Sequence, residues 1–150
     1  MALVVDASVG LKWVLEEPES AWADALARSD EELLVPDLWL HEDTNVCWLQ
    51  VRKRVWIPNE AREVLALLKA QVPPTPTGEL DRHEVALDLG LAIDHSTYDT
   101  LYVAFAVAMG ARGVVAADGP FGRDMRRHPD PVLAAMVIPL ADWTAGQGLN

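Results

Sequence analysis

The chain has 150 residues, 51% of them hydrophobic, and carries 23 acidic against 12 basic side chains, a net charge of −11. That length suits one domain with a real core, and no apolar run approaches the roughly 20 residues of a membrane-spanning helix. The excess of acid argues against nucleic-acid binding through a broad basic face, because such affinity comes from neutralised phosphates.

The first residues, Met1 to Asp6, have no basic stretch and meet an acid too early for a signal peptide. The single cysteine, Cys47, leaves no internal disulfide. A cytoplasmic protein with no membrane association is expected. Leu3-Val4-Val5 reads as a strand ended by Asp6-Ala7-Ser8. A helix through Val9–Leu15 follows, with Trp13 on its apolar side, until Glu16-Glu17-Pro18 breaks it. Pro18, with acids on either side, opens a second helix to about Arg28. Leu33-Leu34-Val35 is a short strand stopped by Pro36.

A long helix is expected from Asp37 to Arg54, with Asp37 as N-cap. It is apolar nearly all round, which predicts that most of it is buried. Pro58-Asn59 opens a helix from Glu60 to Ala70. The proline-rich stretch Val72–Gly78 is an extended connection, with room for an edge strand, and Asp81–Leu91 is a further helix. Ser96 and Asp99 form the S-x-x-D pattern of a capping box. Tyr98, Leu101, Tyr102, Phe105 and Met109 then mark the apolar face of a helix that Gly110 and Gly113 close. Val114–Ala117 is a buried strand leading to Asp118. Phe121–Arg127 is a short helix or turn, Met136-Val137-Ile138 a last strand, and Ala145–Asn150 a frayed tail. Strands alternate with helices throughout. The expected fold is therefore α/β, a single domain over residues 1–150 with a mainly parallel central sheet flanked by helices.

The pattern sends acids to one end of that sheet. Asp6 and Asp118 each follow an apolar strand, where they either cap the next helix or turn, or line a site. Asp99 stands at a helix start, where a cap accounts for it without any function. Glu42 falls on the apolar stripe with Leu38, Val46 and Leu49, where an unpaired carboxylate would be costly to bury; Asn45, one turn on, can orient it. A buried carboxylate needs a cation, hydrogen bonds or a proton. Four oxygen-bearing side chains without clustered His or Cys suit Mg²⁺ or Mn²⁺ rather than zinc. His41, His83, His95 and His128 are scattered, and no phosphate-cradling glycine motif is present. Ser8 lacks a nearby base and reads as a ligand or a supporting group. The two basic clusters, Arg52-Lys53-Arg54 and Arg123 with Arg126-Arg127, are candidate RNA contacts or plain solvated helix ends. Of six tryptophans, Trp13, Trp39 and Trp48 are expected in the core, and others can form a partner surface.

In order, V-V-D-x-S at Asp6, E-x-x-N at Glu42–Asn45, S-x-Y-D at Ser96–Asp99 and A-x-D at Asp118 resemble the PIN domain, and within it the small VapC-type toxins of bacterial toxin–antitoxin pairs. The resemblance spans essentially the whole chain. It implies a PIN fold and an Mg²⁺- or Mn²⁺-dependent ribonuclease, with Asp6, Glu42, Asp99 and Asp118 as the acidic quartet and Ser8, Asn45 and Ser96 around it. It also implies a homodimer silenced by a cognate antitoxin. Three positions depart from the family: Ala116 lacks the usual hydroxyl, Asp43 replaces a small or apolar residue, and Gly119-Pro120 replaces a frequently basic pair. Ala116 and Asp43 support a rival reading, a non-catalytic binding partner with a weakened metal site. A third, an α/β phosphohydrolase using Asp6 as nucleophile, lacks an obvious lysine and further acid; Lys12, Lys53 and Lys69 do not supply them.

Overall fold

The computed structural model describes residues 1–77 and 82–149. At its centre is β1 (Leu3–Val5), three aliphatic residues all buried. It lies between β2 (Leu33–Leu34) and β3 (Gly113–Ala116), with β4 (Val137–Pro139) beyond β3. All the pairings are parallel, with Val4 opposite Leu34 and Val5 opposite Val115. The sheet is therefore parallel and flanked by helices, the α/β class that the alternating pattern predicts. The chain leaves β1 toward one edge and returns through β3 toward the other. That reversal puts a crevice beyond the carboxyl ends of β1 and β3, where open α/β sheets hold their ligands.

Asp6 caps α1 (Ala7–Gly10) by accepting the Ser8 N–H, so the first helix starts two residues earlier than the periodicity suggests. It also stops sooner, continuing only as a 3-10 turn over Leu11–Trp13. Gly10 explains how closely this element packs. A Cβ there would stand 2.6 Å from a Trp39 ring carbon, so only glycine lets α1 rest on that indole. The second helix, α2 (Ser20–Ala27), begins after Pro18 and not at it, because Glu19 takes a left-handed φ of 71° and the Ser20 hydroxyl accepts the Glu17 N–H.

The long helix α3 (Asp37–Arg52) starts at Asp37, which sits in its first turn and makes no cap; Pro36 holds the cap position. Its burial is narrower than expected. Trp39, Asp43 and Cys47, spaced by four, are the buried residues, while Trp48 is 54% exposed. An all-round apolar helix of this kind lies against α1 on one side and α4 (Pro58–Gln71) on another. The rest of it faces outward. Pro58 is the first residue of α4, where its missing N–H costs nothing.

Residues 73–77 form no strand, although the Thr75 N–H donates to the Val35 carbonyl at 2.9 Å. Gly78 and the expected helix start at Asp81 lie outside the described residues, and α5 is described over Arg82–Ile93. In α6 (Thr97–Ala108) the buried residues are Thr100 and Tyr102–Ala106; of the expected stripe Tyr102 and Phe105 are fully buried, Leu101 and Met109 are half-buried, and Tyr98 is 68% exposed. Gly110 ends that segment with a φ of 65°. Beyond β3, α7 (Gly119–Met125) is capped by Asp118, and α8 (Pro131–Ala134) precedes β4. The C-terminal segment forms α9 (Leu140–Gly146), with Leu140, Trp143 and Thr144 buried; of the expected tail, Ala145 and Gly146 finish this helix, and residues 145–149 are exposed. No helix among the described residues is long and apolar enough to cross a membrane.

Candidate functional site

The β1–α1 turn builds the first wall. The Asp6 carboxylate is 5% exposed and accepts both the N–H and the hydroxyl of Ser8. Ser8 Oγ in turn accepts the Ala117 N–H at 3.0 Å. One serine therefore ties the end of β1 to the segment after β3 and holds Asp6 in place, which makes it a support rather than a nucleophile. Burial pushes the Asp6 carboxyl up to about 6; the Ser8 bonds oppose the rise, and the charges of Asp99 and Asp118 add to it. Asp118, two residues past β3, caps α7 by accepting the Phe121 N–H at 3.2 Å. Capping and proximity to the other acids are thus both true of Asp6 and Asp118.

Glu42 reaches the crevice from α3. It is partly buried, and its Oε1 accepts the hydroxyl of fully buried Tyr102 at 3.0 Å. Burial, then the charge of Asp6, push its carboxyl up to about 7. Tyr102 is a partner that sequence reasoning misses, because 60 positions separate it from Glu42. Burial and the neighbouring acids push the Tyr102 hydroxyl far up as well, so it keeps its proton and remains a donor. Asn45 does not orient Glu42: it is exposed and makes no hydrogen bond to it.

The deeper acid is Asp43. It is 0% exposed and neither carboxylate oxygen has a hydrogen-bond partner. Burial first, then Glu42 and Asp6, push it up to about 8, so it holds a proton at neutral pH. The cost of burying an unpaired carboxylate is met here by neutralising it.

Asp99 and Ser96 only half-form the capping box. Ser96 accepts the Tyr98 N–H at 3.3 Å, but the Asp99 carboxylate turns away to His95 Nε2 at 2.6 Å. His95 Nδ1 faces Asp124 at 2.8 Å, and its ring stacks on Phe121 with centroids 5.2 Å apart. Asp124 in turn meets Arg127 at 3.1 Å. With both carboxylates ionised, each ring nitrogen must donate, so His95 is an imidazolium clamp between the start of α6 and the side of α7. Burial disfavours that charge, but the bonds to Asp99 and Asp124 outweigh it and raise the His95 pKa. We expect His95→Ala to cost about 1.5–3 kcal/mol through the Asp99 bond alone. Urea unfolding at pH 6 measures it; an unchanged midpoint would rule out the clamp.

The four acids therefore gather electrostatically around one crevice. Asp99 and Asp118 act on Asp6, Asp6 and Asp99 on Glu42, and Asp118 on Asp99, whose own pKa is raised chiefly by burial. Among the described residues, no group of three or more His, Cys, Asp or Glu side chains is drawn together closely enough to hold a metal ion as it stands. The donor chemistry, all carboxylate and hydroxyl oxygen, is that of a hard divalent cation. The two basic clusters separate. Arg52, Lys53 and Arg54 are exposed at the far end of α3, with the Arg52 guanidinium 5.4 Å from the Trp48 ring centre; ten residues of helix put Arg52 about 15 Å from Glu42. Arg123, Arg126 and Arg127 lie on or just after α7, whose first turn Asp118 caps; Arg126 shares a cavity lining with Asp118, while Arg123 and Arg127 meet Asp124.

No protein-family profile matches the sequence, and no curated protein matches it. The fold is similar to the crystal structure of PAE2754 from Pyrobaculum aerophilum, with a TM-score of 0.70. The two share 16% identity over 99% of this chain and 97% of that one. The likeness therefore concerns the fold alone.

Proposed function

We propose that this chain is a divalent-metal-dependent endoribonuclease of the PIN type, acting as the toxin of a cytoplasmic toxin–antitoxin pair. The observation that carries the reading is the convergence of Asp6, Glu42, Asp99 and Asp118 on the crevice between β1 and β3, where burial and then the neighbouring carboxylate charges raise the pKa values of Asp6, Glu42 and Asp99. Carboxylates that repel each other in a partly buried crevice favour a cation. Mg²⁺ or Mn²⁺ would be held by these four, and when bound supplies a water of lowered pKa and positive charge facing the phosphorus oxygens.

The chain's own residues do the positioning. Ser8 fixes Asp6, Tyr102 fixes Glu42, and His95 fixes Asp99, so three of the four acids have a side-chain partner. A protein partner, whether antitoxin or second copy, is supported by apolar side chains left exposed near the α3–α4 connection, Trp48, Val55 and Ile57. The second reading, a non-catalytic partner with a weak metal site, draws support from the loose grouping of the acids and from buried Asp43.

The test is cleavage of RNA by the purified, partner-free protein in Mg²⁺, Mn²⁺ or EDTA. The expected result is cleavage with either ion and none in EDTA. Cleavage that persists in EDTA contradicts the metal mechanism. No cleavage, together with a melting temperature that Mn²⁺ raises, selects the second reading.

A further inference from the structure

Beside Asp118 the crevice runs on into a cavity of about 170 Å³. It lies between the first turns of α7, at Gly119 and Gly122, and the β4–α9 junction, at Pro139 and Ala141. Its cation is Arg126. A Cβ on Gly122 would stand 3.7 Å from Arg126 Nη2, so the guanidinium folds back one helical turn along α7, toward the end that Asp118 caps. Arg123 and Arg127 both face Asp124, at 3.6 and 3.1 Å. Arg126 has no such carboxylate partner among the described residues. At Gly119 an added Cβ meets nothing within 4 Å, so the cavity is open on that side.

We propose that this cavity is a subsite for one pyrimidine nucleotide of the RNA, with Arg126 holding a phosphate at its wall. An unpaired guanidinium presents the planar fork of donors that fits a phosphate bidentately. A cavity of about 150 Å³ holds a benzene-sized ring, so the enclosed part of this site matches one six-membered ring better than a fused pair. Glu19, also in the lining, supplies an acceptor for an exocyclic amine such as that of cytosine. The substrate class rests on the nuclease reading, but the subsite is testable without cleavage.

Cytidine 5′-monophosphate has no phosphodiester to cut, so its binding can be followed by amide chemical shifts with Mg²⁺ present. The native protein should bind it with shifts centred on Gly119, Gly122 and Ala141, and bind adenosine 5′-monophosphate more weakly. Arg126→Gln should weaken cytidylate binding about tenfold or more, the scale of losing a charge-assisted bidentate contact. Ala141→Trp fills the cavity from an exposed position on α9 and should do the same. Lys69→Gln, the same charge change on exposed α4, should leave binding unaltered. The proposal is overturned if cytidylate does not bind, if both variants bind it like the native protein, or if adenylate binds equally well. Cytidylate binding as described, with no RNA cut in any metal, would keep the subsite and remove the nuclease. Cleavage by Arg126→Gln at an unchanged KM would do the reverse.

Discussion

Asp99→Asn is expected to remove metal-dependent RNA cleavage while leaving a folded protein. Even residues that only support a metal ligand cost about 10–100-fold when lost, so loss of a ligand should exceed about 100-fold in kcat. The substitution is nearly isosteric and keeps an oxygen that can accept from His95 Nε2. What it removes is the negative charge. The capping role of this helix start belongs to Ser96, whose Oγ accepts the Tyr98 N–H, so α6 keeps its N-cap in the variant. A cap and a ligand are therefore separable here by two substitutions. Ser96→Ala should lower stability by about 1 kcal/mol with cleavage retained, whereas Asp99→Asn should abolish cleavage at nearly native stability. If Asp99→Asn cuts RNA as the native protein does, Asp99 is no ligand and the quartet fails as a unit.

The parts of this site that were legible in the sequence are the local ones. Asp6 and Asp118 each follow a run of aliphatic residues, and a parallel sheet brings the ends of such runs to one edge whatever the details of packing. Glu42 was legible as an awkward acid on an apolar helix. Its neighbour Asp43 does not stand out as the deeper of the two, because α3 carries Leu38, Trp39, Leu40 and Val46 on all sides and a helical wheel then has no unique inner face. The contact of Gly10 with Trp39 fixes that rotation, and it joins residues from two elements. His95 has no histidine at metal-ligand spacing, and its role comes from two carboxylates. Its partner Asp99 stands four residues on, at plain helical spacing, but the other, Asp124, is 29 residues away. The folding of α9 had a local signal, Leu140, Trp143 and Thr144 at i, i+3 and i+4, which the polar end of the chain obscured.

Without divalent ions the protein should melt at a higher temperature at pH 5 than at pH 8, and Mn²⁺ should reduce that difference. Asp6, Glu42 and Asp43 have ordinary values of 3.8, 4.5 and 3.8 and are raised to about 6, 7 and 8, in each case chiefly by burial. The unfolded chain releases these protons near pH 4, while the folded chain retains them to pH 6–8. Over that window the unfolded state binds fewer protons, so stability falls as pH rises, by at most about 1.4 kcal/mol per pH unit for each group in its window. His95 acts in the same direction. Its raised pKa gives stability that is full below its ordinary value of 6.5 and is lost as pH climbs through the folded value. Glu31 and Asp124, held down by Arg112 and by His95 respectively, oppose the trend only below their ordinary values of 4.5 and 3.8, so pH 5 already has most of their contribution. A cation binds the ionised carboxylates and so competes with their protons. The Mn²⁺-induced rise in melting temperature should accordingly be larger at pH 8 than at pH 5. Asp43→Asn cannot titrate and should flatten the upper part of the slope, between about pH 7 and 8, even in EDTA. A melting temperature that rises from pH 5 to pH 8 in EDTA would mean that the crevice acids are already compensated without a metal, and the electrostatic case for a cation at this sheet edge would be lost.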